Sequence, residues 1–372
     1  MNPVLDLMLD AQKQALDEGF KVWERLLALP KVPRHANRVQ VGSTPHDVVY
    51  EEGSLKLLRY RNETAIAFQE PILICYALVN RPYILDLQPT RSVVQQLMKR
   101  GFEVYLIDWG IPTAADRTMR LYDYVCGLMK NVAAFVRNDS RQDQFNLFGY
   151  CMGGTMSAMF TALQPELVRS LTLLAAPIDF SGDDALLHLW TREEYFDVDR
   201  LLDAYGNCPG SLLQGAFRLM KPVQNFVDKY FTFYENLHDD SYLENFFAME
   251  RWGQDNIPVA GETFREFVKY LYQRNQLIKG EYRLRHDLPV KLERITCPLL
   301  LLTADFDHLV PPSSTLGIEP HVGSKDIRKM GIHAGHVGLA VSSKAHREFW
   351  PAAANWIAER STPRSAKDEY GN

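Results

Sequence analysis

The residues Phe145-Asn-Leu-Phe-Gly149-Tyr150-Cys151-Met152-Gly153-Gly154-Thr155 lead a short apolar run into a helical stretch through Gly-x-Cys-x-Gly-Gly. This is the pattern of a nucleophile elbow with a thiol at its tip. A nucleophile on a sharp strand-to-helix turn sits in strained backbone, and Gly149 and Gly153 on either side let strand and helix approach. The following helix N-terminus favours negative charge on a thiolate. The Met152 N–H is placed to meet a developing oxyanion. A lone buried cysteine is ordinarily a packing residue. Here the strand before it and the helix after it favour covalent acyl chemistry.

Such a thiol needs a base and an acid that orients the base. Behind an elbow of this kind they follow in the order acid, then histidine. The run Leu299–Leu302 leads into Thr303-Ala-Asp305-Phe-Asp307-His308-Leu-Val310-Pro311-Pro312. An acid at the end of a strand, ahead of a Val-Pro pair, selects Asp307; Asp305 reads as a turn or capping carboxylate. Farther on, Met330-Gly-Ile-His333-Ala-Gly335-His336-Val-Gly338 offers two histidines. His336 stands among small residues after the run Ile327–Met330 and is the expected base, with His333 a surface or loop residue. His308 either holds the acid's loop or supports the triad from behind; the sequence leaves both open. A second oxyanion donor belongs to the loop after the run Ile72–Val79. Either Asn80 or Arg81 supplies that backbone N–H, and Pro82 has none to give.

The elements that must position these groups are short apolar runs at Leu55–Tyr60, Ile72–Val79, Val104–Ile107, Phe145–Phe148, Leu171–Ala175 and Leu299–Leu302. Helical stretches at Ser92–Arg100, Tyr122–Val136 and Thr155–Leu163 lie between them. That alternation predicts an α/β fold with a mostly parallel sheet covered on both faces. It breaks over 178–288, an aromatic-rich stretch of helical period and roughly 110 residues, too long for a plain loop. The expected organisation is an N-terminal helical segment over 1–35, a core over 36–177 and 289–360, a helical insertion over 178–288 that lids the site, and a polar, frayed tail over 361–372. Within the first segment, Pro30 and Pro33 are expected to end the helix.

The chain has 372 residues, with 41 basic against 46 acidic side chains and a net charge of −5. That balance argues against a dedicated nucleic-acid binder. The longest clean apolar run, Pro71 to Val79, is far short of the ~20 residues of a membrane helix, and no secretory signal is visible. Five scattered cysteines (Cys75, Cys126, Cys151, Cys208 and Cys297) fit a reducing compartment better than a disulfide framework. No clustered spacing suggests a metal, and no cofactor is expected.

The combination resembles the polyhydroxyalkanoate synthases, specifically their short catalytic subunit (class III, PhaC type), of the α/β-hydrolase superfamily. The matching residues are Asn80-Arg-Pro-Tyr-Ile-Leu-Asp-Leu, Ile107-Asp-Trp-Gly, the elbow, Asn245-Phe-Phe through Glu250-Arg-Trp-Gly-Gln-Asp-Asn-Ile-Pro, Asp307-His-Leu-Val-Pro-Pro and Gly335-His-Val-Gly. Dienelactone hydrolases are similar at the elbow but are far shorter and lack the aromatic insertion. The resemblance implies polymerisation of (R)-3-hydroxyacyl-CoA, most often 3-hydroxybutyryl-CoA, with release of CoA. It implies that Cys151 carries the acyl group, that His336 activates its thiol, and that Asp307 serves His336 and the hydroxyl that extends the chain. It further implies that the insertion is a cap, that the catalytic subunits form a homodimer with a second subunit (PhaE type, alternatively PhaR type), and that the protein sits on cytoplasmic polymer granules. The alternative is a cysteine hydrolase of esters or lactones.

Overall fold

The computed structural model describes residues 32–182, 186–220 and 228–364. The helix expected over residues 1–30 lies outside them. Pro33 does not break a helix: it lies within the helix Val32–Arg38. Proline is tolerated in a first turn, where its missing N–H has no intrahelical partner to lose.

Eight strands build one sheet: β1 (His46–Glu52), β2 (Leu55–Tyr60), β3 (Ile72–Cys75), β4 (Val104–Asp108), β5 (Phe145–Tyr150), β6 (Val168–Leu174), β7 (Leu299–Ala304) and β8 (Ile327–Ile332). Their spatial order is β1-β2-β4-β3-β5-β6-β7-β8. β2 is antiparallel to β1 and β4, and the remaining pairs are parallel. This is the α/β-hydrolase arrangement. β3, β5 and β7 are buried at every residue, because helices cover both faces of a parallel sheet and every side chain must be apolar or satisfied. β1, HDVVYEE, sits at an edge with a mixed exposure pattern, so it carries no continuous apolar run to betray it.

The helix Met152–Leu163 is buried along almost its whole length and packs between sheet and surface helices. Across the sheet, Val93–Lys99 and Trp350–Ala358 pack on each other. The stretch Tyr122–Val136 is helical, but Asp123–Leu128 is wound as a π-helix before the α-helix Met129–Ser140. β3 ends at Cys75, four residues short of the end of the apolar run, and past it Tyr76, Ala77 and Val79 line a cavity while Leu78 packs into the core.

Between β6 and β7 the chain folds into helices Leu186–Trp190, Val198–Tyr205, Gly210–Leu219, Lys229–Glu235, Asp240–Gln254 and Gly261–Glu266, with a π-helical turn Phe267–Gln273. Residues 361–364 dock on the core. Thr362 donates its N–H to the Glu70 carboxylate at 2.7 Å, and Arg364 N–H bonds Ala67 O at 2.9 Å. No helix among the described residues is long and apolar enough to cross a membrane.

Candidate active site

Cys151 is the hinge between β5 and the helix Met152–Leu163, at φ 53°, ψ −127°. A non-glycine residue held there stores strain, and strain of this kind concentrates at functional sites. The surrounding backbone enforces it. A Cβ on Gly149 would lie 2.5 Å from Gly154 Cα, and one on Gly153 would lie 2.2 Å from Cys75 O. Strand, turn and helix therefore touch backbone to backbone, which only glycine permits. Cys151 N–H donates to Leu174 O at 2.9 Å, which ties the elbow to β6. The Met152 N–H opens the helix and so has no acceptor within it.

Asp307 follows β7 and is buried, with no exposed side-chain surface. Its Oδ1 accepts the N–H groups of Leu309 at 2.9 Å and Val310 at 2.8 Å. Its Oδ2 faces His336 Nδ1 at 2.6 Å. His336, in the loop after β8, lines the same cavity as Cys151, whose sulfur is close enough to act on the charge of the ring. Burial works to lower the imidazole pKa, but the Asp307 carboxylate and the Cys151 sulfur outweigh it and lift it from 6.5 to about 10. Asp307 and Cys151 thus flank His336 and favour its charged form, so that a proton taken from the thiol is held on the imidazole.

The rejected neighbours lie elsewhere. His333 and Asp305 face each other at 3.5 Å with side chains 68% and 54% exposed, and Phe306 stands against the His333 ring. His308 is exposed at the cavity rim. Asn80 lines the cavity in a left-handed conformation (φ 63°), its Oδ1 buried and without a partner among the described residues. Arg81 does not line it: its guanidinium pairs with Asp108 at 3.1 Å and its carbonyl accepts Trp252 Nε1–H at 2.9 Å. Tyr76 and Ala77 stand closer to the elbow in the chain's path, and both border the cavity.

Tyr150 escapes sequence reasoning. Its ring stacks on His336 at 5.2 Å and 20°, and its hydroxyl donates to His336 O at 3.3 Å. The only hint is an aromatic residue immediately before the nucleophile. Tyr272, on the π-helical turn of the insertion, reaches the same cavity.

The cavity measures about 780 Å³ and has Cys151 and His336 in its wall. The loops after β3, β5, β7 and β8 supply one side, while the insertion supplies the other with the aromatic residues Trp190, Phe217, Trp252, Phe264 and Phe267 among polar ones such as Gln214 and Lys229. Among the described residues there is no group of His, Cys, Asp and Glu side chains able to hold a metal ion.

Two families match the chain: one described as alpha/beta hydrolase fold, over residues 70–339, and one described as Poly-beta-hydroxybutyrate polymerase (PhaC) N-terminus, over residues 34–97. Among curated relatives, the poly(3-hydroxyalkanoate) polymerase subunit PhaC of Haloferax mediterranei is 44% identical over 99% of this chain and 76% of its own length. That of Haloarcula marismortui is 46% identical, over 87% of this chain and 70% of its own. The same-named protein of Allochromatium vinosum is 40% identical, over 88% of this chain and 92% of its own. With the elbow, the sheet order and this breadth of similarity together, the chain belongs to the PhaC family of poly(3-hydroxyalkanoate) polymerase subunits, enzymes of the α/β-hydrolase fold.

Proposed function

We propose that this chain polymerises (R)-3-hydroxyacyl-CoA, 3-hydroxybutyryl-CoA first among them, through an acyl group carried on Cys151. The observation that supports this most is Cys151 at a strained elbow, sharing the wall of a largely apolar cavity with His336, whose Nδ1 is held by the buried Asp307 at 2.6 Å.

In the first step His336 takes the thiol proton and the sulfur attacks the substrate's thioester carbonyl carbon. The Met152 N–H receives the oxyanion. CoA leaves as its thiol, carrying the proton back from the imidazolium, and the acyl group stays on sulfur. In the second step His336 takes the proton of a chain-end hydroxyl, whose oxygen attacks the acyl-cysteine. An ester forms and the thiol is regenerated. The first transfer exchanges one thioester for another and is close to thermoneutral. The second converts a thioester into a more stable oxoester and drives growth. Asp307 does not border the cavity, because both its oxygens are occupied by His336 and by two backbone N–H groups. It therefore serves both steps through His336 rather than by touching the hydroxyl.

The insertion acts as a cap that keeps water from the acyl-enzyme. The relatives are named as subunits of a polymerase, which supports work alongside a second subunit; that the second subunit is of PhaE or PhaR type, and that the catalytic subunits act as a homodimer on cytoplasmic granules, completes the proposal. The test is incubation with 3-hydroxybutyryl-CoA, with and without a co-expressed second subunit, following free thiol and turbidity. Thiol release with growing turbidity is expected. Release of monomeric 3-hydroxybutyrate without polymer would replace this reading with a cysteine hydrolase. A Cys151→Ala variant that still released CoA at the normal rate would remove Cys151 from its role.

A further inference from the structure

His336 is followed by a single helical turn, Gly338–Val341, whose carbonyls have almost no helix left to bond them. Gly338 O accepts Ser342 N–H at 3.0 Å. The next three are each met by a different side chain. Leu339 O accepts Trp350 Nε1–H at 2.8 Å, Ala340 O lies 2.7 Å from His346 Nε2, and Val341 O accepts Arg91 Nη1–H at 2.6 Å. His346 and Trp350 are buried and four residues apart, one on the π-helical turn Ala345–Phe349 and the other opening the helix after it, so both face this turn. His346 Nδ1 is buried without a partner among the described residues, so the ring meets Ala340 O as a neutral Nε2–H donor, and burial favours that neutral form. Gln96 ties His346 O to the helix that follows Arg91, at 3.2 Å.

The clamped turn is continuous with the base. Leu339 N–H bonds Gly335 O at 3.3 Å, and Ala340 N–H bonds Val337 O at 3.0 Å, so the peptide just before His336 and the one after Val337 are fixed to it. Close packing at Gly335 does not place the loop, since a Cβ there would meet only Phe306 O, at an ordinary 3.6 Å. We infer that Arg91, His346 and Trp350 are positioning residues that set the reach of His336 to the Cys151 sulfur. None of the three borders the cavity. Arg91 comes from the region matched as the PhaC N-terminus, which on this reading positions the base as well as lining the cavity through Tyr76, Ala77, Val79 and Asn80. The inference rests on the reading of His336 as the base.

The test is the rate of Cys151 alkylation by iodoacetamide as a function of pH, alongside the CoA released in a single turnover. The groups facing the imidazole are Cys151, Asp307 and Tyr150, and none of them is altered. His346→Leu should slow acylation roughly 10- to 100-fold, the cost of misplacing a reacting group by an ångström. KM should hold, and the alkylation midpoint should move toward that of His336→Ala. His346→Gln, whose amide still donates to Ala340 O, should restore most of the rate. Arg91→Ala and Arg91→Lys provide the same pair at a site where folding is less at risk. A lowered melting temperature with the wild-type alkylation profile and acylation rate would overturn the inference and leave these residues purely structural. A His336→Ala variant with the wild-type profile would instead overturn the base assignment beneath it.

Discussion

Replacing Asp307 by Asn changes one atom type and leaves the loop's anchorage in place. The side-chain oxygen that accepts the Leu309 and Val310 N–H groups at 2.9 and 2.8 Å is still an oxygen. The atom 2.6 Å from His336 Nδ1 becomes an NH2, which demands a lone pair on Nδ1 and pushes the ring proton to Nε2. An imidazole with its proton on Nε2 cannot take the thiol proton. The charge is lost as well. Lifting His336 from 6.5 to about 10 against the pull of burial is worth roughly 5 kcal/mol, shared between Asp307 and Cys151. If Asp307 supplies about 2–4 kcal/mol of it, acylation slows roughly 30- to 1,000-fold. Single-turnover CoA release measures acylation, and polymer growth from a primed acyl-enzyme measures elongation. Both steps use the same imidazole, so both should fall by the same factor. A variant that acylates at nearly the normal rate while elongation collapses would refute the argument, because it would require Asp307 to touch the hydroxyl directly.

Other perturbations follow from the same geometry. Gly153→Ala places a Cβ 2.2 Å from Cys75 O, against backbone that cannot yield, so it should cost at least roughly 1–3 kcal/mol and abolish acylation; a wild-type melting temperature would show the elbow to be looser than this. His333→Ala should change stability by less than about 0.5 kcal/mol and leave CoA release intact, since the ring is exposed against Asp305 and Phe306, whereas His336→Ala should lose activity; equal losses would show that the two rings had been told apart wrongly. His336 has its pKa raised on folding, so its stabilisation is complete below 6.5 and disappears as pH rises through about 10. Melting temperatures of the wild type and His336→Gln should therefore converge between pH 7 and 10, and a constant gap would contradict the coupling to Asp307 and Cys151.

The elbow is legible in the sequence because its physics is local. Two backbones in contact require glycine at fixed offsets from the turn, and Gly149 and Gly153 announce that requirement without any knowledge of the rest of the chain. The central strands are legible for a related reason, since burial on both faces forces continuous apolar runs such as β5 and β7. β1 carries half-exposed residues and so shows neither a continuous run nor a clean alternation. The end of β3 is hidden because Tyr76, Ala77 and Val79 are apolar for the sake of a cavity and Leu78 for the core, not for a sheet. Tyr150 against His336 and Arg91 against Val341 are contacts across 186 and 250 residues of chain. No spacing rule reaches that far, and they exist only once the sheet order brings β5 and β8, and the two ends of the core, together.

The proposed choice of polymerisation over hydrolysis comes down to which hydroxyl meets the acyl-cysteine. The base cannot decide it, because His336 would deprotonate water and a chain-end alcohol alike. The cavity can. The aromatic wall of Trp190, Phe217, Trp252, Phe264 and Phe267 offers a water no hydrogen bond, and the polar side chains that share the lining, among them Asn80, Gln214, Lys229 and Glu250, are where a water would be retained. An aliphatic polyester end loses little by entering the same space and gains contact with the apolar wall. The thiol strengthens that selection by lowering the stakes of waiting, since a thioester on Cys151 is no more stable than the one it replaced and keeps its driving force until an alcohol arrives. A hydrolase elbow thus becomes a polymerase elbow through the insertion above it and the sulfur within it, with the acid–base pair unchanged.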